Sequence, residues 1–154
     1  MVERFERFSL TISEISRLWH KIAADEMEKY GLKGPHAIYL TTMYRLNEGV
    51  TAPRLCELCG KDKADVSRMM TMMEKKGLVR KEGEFRNRYR GVFLLTDAGK
   101  NAAEQVCSRA SLAVELAGQE LSDETREIFY SALESITENL RRISREGLPE
   151  SSEQ

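Results

Sequence analysis

Helix-breaking residues divide positions 51–77 into two short helical segments with almost nothing between them. This spacing constrains the fold more than any other feature. Thr51-Ala52-Pro53 opens the first segment. Threonine can cap, and proline is tolerated in a first turn because its missing N–H had no partner there. The segment runs through Leu55, Cys56, Leu58 and Cys59 to Gly60. Asp62 caps the second segment, with Asp65 three residues on in an imperfect capping box. Val66, Met69, Met70 and Met73 fall on one side of that helix. Lys63, Ala64, Ser67, Arg68, Thr71 and Lys75 lie mainly on the other, and Gly77 closes it. Two helices joined by a glycine-containing turn of this length make a helix-turn-helix candidate.

Strand-like pieces follow at Leu78-Val79-Arg80-Lys81 and Val92-Phe93-Leu94-Leu95, separated by the polar, turn-prone EGEFRNRYRG. That pattern predicts a β-hairpin with a long basic tip, a wing attached to the two helices. Upstream, Phe5, Phe8, Ile12, Ile15, Trp19 and Ile22 step by three and four along a long helix that stops at Tyr30-Gly31. A second helix starts near Pro35, runs through Ile38, Leu40, Met43 and Leu46, and ends at Asn47-Glu48-Gly49. Downstream, Thr96 caps a helix through Ala102, Val106, Ala110, Ala113 and Ala117. Ser122 caps a last one bearing Phe129, Leu133, Ile136, Leu140 and Ile143. Gly147-Leu-Pro ends it, and residues 147–154 are expected to form a mobile tail. The expected fold class is mainly α with a small β-hairpin wing: a winged helix-turn-helix flanked by N- and C-terminal helices.

Composition narrows the function classes. The 154 residues fit one domain, and 41% hydrophobic with 32% charged residues is too apolar and too balanced for a disordered chain. No apolar run approaches the roughly 18–20 residues that span a bilayer. The N-terminal MVERFERFSLTISE lacks a signal-peptide apolar region. Three cysteines, an odd count, argue against a disulfide framework and for a reducing cytoplasm. The net charge is -1, but residues 51–100 hold 12 Lys and Arg against 7 Asp and Glu. Seven of those bases, Lys75, Lys76, Arg80, Lys81, Arg86, Arg88 and Arg90, fall within residues 75–90. Nothing resembles a nucleophile with its base, a phosphate-cradling glycine loop or a paired-carboxylate site, so neither an enzyme nor a bound cofactor or metal is expected.

The stretch GVTAPRLCELCGKDKADVSRMMTMMEKKGLVRK, followed at short range by LLTDAGK, resembles the DNA-binding core of the MarR family of transcription regulators. In that family a recognition helix ends in a run like Met73-Glu74-Lys75-Lys76-Gly77-Leu78-Val79. The second wing strand ends in Leu-Thr-x-x-Gly, here Leu95-Thr96-Asp97-Ala98-Gly99. The resemblance extends over roughly residues 5–146. It implies a single winged-helix domain over 1–146, with a DNA-binding lobe over about 34–100 and dimerisation helices at 1–30 and 98–146. It also implies a ligand-responsive repressor acting as a homodimer on a palindromic operator. Family members often take small aromatic or phenolic ligands between the first helices and the DNA-binding lobe, which makes Trp19, His20, His36 and Tyr39 candidate pocket residues. The alternative, which the residues themselves favour, is that they are interfacial aromatics and a capping histidine.

Independently of the family, the major groove of B-DNA admits one α-helix whose exposed side chains reach base edges. Lys63, Ser67, Arg68, Thr71 and Lys75 are the candidates on the second helix. Arg68 can fork onto guanine, while Ser67 and Thr71 can take base or phosphate. Arg86, Arg88 and Arg90 at the wing tip suit phosphates or a narrow minor groove. The family usually has an Asp two residues before a wing Arg, and this sequence lacks it. Large apolar stripes on the first and last helices exceed what a chain of this size can bury alone, and a two-fold dimer would cover them. A second reading makes Cys56 and Cys59 a redox-responsive pair, against which stands core packing of small apolar residues. A third is a winged module that binds protein. The cluster Met69, Met70, Met72 and Met73 reads as core.

Overall fold

The structure, a computed structural model, describes residues 2–83 and 91–148. Arg86, Arg88 and Arg90 and the residues after 148 lie outside the described part, so the expected basic tip and most of the expected tail do too. The chain forms two compact units, residues 1–112 and 113–154.

In the first unit, α1 (Val2–Glu28) carries the predicted apolar stripe. Among its described residues only Met27, at its end, is buried, while Phe5, Phe8, Ile12, Ile15, Leu18, Trp19 and Ile22 are exposed. Glu26 pairs with Lys29 at 2.7 Å and with Arg109 at 3.8 Å. A 3-10 turn at Gly34–His36 leads into α2 (Ala37–Leu46), so the regular helix begins two residues after Pro35. Next come β1 (Val50–Thr51), α3 (Ala52–Cys59), α4 (Lys63–Lys75), β2 (Val79–Glu82) and β3 (Val92–Leu95), then α5 (Asp97–Ala117).

The caps predicted for these helices are made. Thr51 Oγ1 accepts the Arg54 N–H at 3.4 Å, and an Asp62 carboxylate oxygen accepts the Asp65 N–H at 2.8 Å. Each satisfies a donor that a helix start leaves without an intrahelical partner.

The predicted hairpin is present, with its first strand one residue later than the sequence indicated. It belongs to a three-stranded antiparallel sheet ordered β1-β3-β2. Val79 stands opposite Leu95 and Glu82 opposite Val92, while Val50 stands opposite Phe93 and Thr51 opposite Val92. Strand β1 was not expected. At two residues it has no alternation to read, and only the adjacent β3 makes it a strand. Phe93 and Leu95 point into the core, and β2 exposes Arg80, Lys81 and Glu82, charges that suit an unpaired sheet edge.

The core gathers Met27, Leu40 and Met43 with Leu55, Val66, Met70 and Met73, closed by Leu78, Phe93 and Ala103. Three of the four clustered methionines belong to it. Met72 does not: at 37% exposure it faces away. Helix geometry requires this, because Met69 and Met73 are four apart on the buried face and Met72 sits about 100° from Met73.

In the second unit, α6 (Asp123–Glu146) is capped by Ser122, whose hydroxyl accepts the Thr125 N–H at 3.2 Å. Arg126 fixes the preceding turn, donating to the Gly118 carbonyl at 2.7 Å and pairing with Glu115 at 3.1 Å. No residue of α6 is buried, and Ile128, Phe129, Tyr130, Ile136 and Leu140 are exposed. Among the described residues no helix is long and apolar enough to cross a membrane, and no cluster of side chains could hold a metal ion.

Candidate nucleic-acid interface

Helix α4 divides cleanly. Val66, Met69, Met70 and Met73 are buried, and Lys63, Ser67, Arg68, Thr71 and Lys75 are all exposed. The five predicted residues therefore share the solvent side of a 13-residue helix. Its apolar stripe fixes its rotation, so the sequence pattern alone decides which side chains face outward. The Thr71 hydroxyl donates to the Ser67 carbonyl at 2.9 Å, which leaves its oxygen free to act as an acceptor.

Arg68 is not isolated. Its guanidinium lies 3.6 Å from the Asp65 carboxylate one turn earlier. The other oxygen of Asp65 accepts the Tyr39 hydroxyl at 2.7 Å. Chiefly through that hydrogen bond, and then through the charges of Arg68 and Lys61, the Asp65 carboxyl is held below the usual carboxylate range. Burial, followed by the same hydrogen bond, pushes the Tyr39 phenol well above its ordinary value. Nothing in the sequence signals this connection, because Tyr39 and Asp65 are 26 residues apart.

The candidate pocket residues separate into two kinds. Trp19 and His20 are exposed on α1, with His20 Nδ1 3.3 Å from the Ser16 hydroxyl. His36 is buried, and its Nδ1 accepts the Lys33 N–H at 3.0 Å. Burial lowers its pKa, so the ring is neutral and fit to accept. Tyr39 is only 1% exposed and spans from α2 to α4. His36 Nδ1 and the Tyr39 hydroxyl are thus already engaged within the protein.

The cysteines pack. Cys59 is buried beside Thr42, its Sγ 3.8 Å from the Thr42 hydroxyl, and burial pushes its thiol up, away from the reactive thiolate. Cys56 is half-buried against the same core. At the base of the hairpin, Lys81 Nζ lies 5.6 Å from the Phe93 ring centre, and Arg80 pairs with Glu82.

A helix pair whose second member exposes Ser67, Arg68 and Thr71, followed directly by a hairpin, is a winged helix-turn-helix. Residues 30–84 match the model of the MarR family, so the resemblance drawn from the sequence is borne out over that stretch. The fold is shared with transcription regulators of known structure. One, from Methanosarcina mazei Go1, is 23% identical with a TM-score of 0.76, over 90% of this chain and 99% of that one. A second, a MarR family transcriptional regulator from Listeria monocytogenes complexed with 26mer DNA, is 21% identical with a TM-score of 0.75, over 92% and 95%. A third, the Staphylococcus aureus MepR–DNA complex, is 19% identical with a TM-score of 0.75, over 86% and 97%. At these identities the likeness carries the fold. No curated protein sequence matches the chain.

Proposed function

We propose that this chain is a sequence-specific, double-stranded-DNA-binding transcription regulator, a repressor acting in the cytoplasm as a homodimer on a palindromic operator. The observation that carries the reading is the division of α4: a capped helix whose inner side is core and whose outer side holds Lys63, Ser67, Arg68, Thr71 and Lys75. Such a helix enters a major groove with its polar side chains toward the base edges. The likeness to two regulators solved with DNA supports the same role.

The exposed apolar stripes of α1 and α6 support a dimer, since soluble monomers rarely leave that much apolar surface open to water. Two-fold symmetry then gives two recognition helices for two half-sites. Release would come from a small aromatic or phenolic ligand near Trp19, His20, His36 and Tyr39. Such a ligand acts only by binding the DNA-competent and released forms with different affinities.

Selection of bound fragments from genomic DNA, followed by mobility shifts on the enriched sequence and its scrambled version, tests the reading. Enrichment of an inverted repeat bound more tightly than its scramble is the expected result. Equal binding of both, or none, removes it.

A further inference from the structure

We propose that Asp65 is a positioning residue for Arg68, anchored by the buried Tyr39, and that the Tyr39–Asp65–Arg68 chain sets the preference of α4 for base edges over phosphates. This rests on reading α4 as the groove-entering helix. A carboxylate on the first turn of a DNA-reading helix needs a reason, because it repels the phosphates that surround it. Helix capping is not its role, since Asp62, not Asp65, accepts the first-turn N–H, and the favourable interaction of a first-turn acid with the helix dipole requires no particular partner for its oxygens. Instead, one oxygen of Asp65 accepts the Tyr39 hydroxyl at 2.7 Å, and the other faces Arg68 Nη2 at 3.6 Å.

Tyr39 is 1% exposed in the core, so its hydroxyl is a fixed point for the carboxylate. Arg68 is 69% exposed, and without a tether its long side chain would sample many rotamers. Phosphates outnumber correctly placed base edges, so an untethered arginine beside DNA settles on phosphate by default. A fixed carboxylate opposes that outcome twice. It holds the guanidinium in one direction along the helix, and it penalises close approach of the backbone at unrelated sites. A guanine edge in the right register accepts the fork from the guanidinium without adding a negative charge beside Asp65.

The test compares the wild type with Asp65→Asn, Tyr39→Phe, Arg68→Ala and the Asp65→Asn/Arg68→Ala double variant. Each is titrated on a selected operator and on an unrelated duplex of the same length. Asp65→Asn is expected to tighten binding to the unrelated duplex while lowering the operator-to-unrelated ratio by about three- to tenfold. A pure charge effect would tighten both equally and leave the ratio alone. Tyr39→Phe keeps the charge, so it is expected to lower the ratio without tightening unrelated binding. On the Arg68→Ala background, Asp65→Asn is expected to leave the ratio unchanged.

A second measurement needs no DNA. The Arg68 Nε–H signal in NMR is expected to show greater side-chain mobility in Asp65→Asn and Tyr39→Phe than in the wild type. Unchanged ratios, additive effects of Asp65→Asn and Arg68→Ala, or unchanged Arg68 mobility would each overturn the proposal. A wild type that binds no duplex overturns the DNA-binding reading itself, a result distinct from intact binding with an unaltered ratio.

Discussion

The Thr96 hydroxyl donates to the Gly77 carbonyl at 2.6 Å, across 19 residues of chain. The same oxygen accepts the Gly99 N–H at 3.0 Å, and the Thr96 N–H donates to the Leu78 carbonyl at 3.0 Å. One threonine thus caps α5, closes the far strand of the hairpin and ties the end of α4 to both. Gly77, at φ +70°, turns the chain out of α4 in a conformation other residues resist. Gly99 lets α5 come close, since a Cβ there would meet the Leu78 carbonyl oxygen at 1.8 Å. The Lys-Lys-Gly-Leu-Val and Leu-Thr-x-x-Gly runs, separate in sequence, are two halves of a single joint.

Thr96→Val keeps the shape of the side chain but removes both hydroxyl interactions. It is expected to destabilise the fold by about 1–2 kcal/mol, the range of a lost cap plus a lost hydrogen bond. Gly99→Ala forces α5 away from Leu78 and is expected to cost about 1–3 kcal/mol as overpacking. Urea denaturation of both variants checks the pair. A Gly99→Ala protein as stable as the parent would mean that α5 is not held against the α4 turn.

Arg68→Ala is expected to relax the preference at one base position per half-site by roughly 1–3 kcal/mol. Binding-site selection with the variant reads this directly. Weakening spread evenly over all sequences would place Arg68 on phosphate instead.

Charged residues in place of Phe8 and Ile12, or of Phe129 and Leu133, are expected to weaken dimerisation and DNA binding together. Each large apolar side chain buried is worth roughly 1.5–3 kcal/mol. Sedimentation of the parent protein at micromolar concentration should give the mass of two chains, and a monomer there would defeat the expectation.

Acid is expected to destabilise the fold through His36. Burial lowers its pKa below the ordinary 6.5, so the unfolded chain takes up a proton that the folded chain does not. Stability then falls as the pH drops below about 6.5 and levels off once the folded ring also protonates. Asp65 acts in the same direction lower down, because its depressed pKa makes its contribution present at neutral pH and lost on protonation. Denaturation midpoints from pH 8 to pH 5, for the parent and for His36→Gln, isolate the first effect. Parallel curves would exclude it.

The wing is tested one arginine at a time. Arg88 is expected to read the minor groove, and Arg86 and Arg90 to neutralise phosphates. Each phosphate contact removed should flatten the slope of log affinity against log salt by about 0.9. Arg88→Ala should also lose preference for A·T-rich flanks. If no alanine variant changes slope or flank preference, the wing does not touch DNA.

What the sequence disclosed follows the range of each interaction. Thr51, Asp62, Thr96 and Ser122 were legible as caps because their partners lie three residues away. The outward side of α4 was legible because the spacing of Val66, Met69, Met70 and Met73 fixes it. The pairing of Val50 with Phe93 and the bond from Tyr39 to Asp65 leave no local trace, since each depends on where a distant segment lands. Met72 was grouped with its neighbours by residue type, whereas its rotation about the helix decides its exposure. Asp65 reads from sequence as the second member of a capping box with Asp62, whereas its carboxylate accepts the Tyr39 hydroxyl, a partner out of sequence range.

Thr51 belongs to two elements at once. It pairs with Val92 at the start of β3, and its hydroxyl caps α3. The helix pair is therefore pinned to the hairpin at its entrance by Thr51 and at its exit by Thr96. Pinned at both ends, the helix pair and the base of the hairpin act as a caliper with fixed jaws. In the proposed role, the span between a groove-reading helix and the root of its wing would be the same on every site. A base pair inserted inside a half-site would then put the helix and the wing out of register with their two grooves, and no adjustment within the joint would restore the fit.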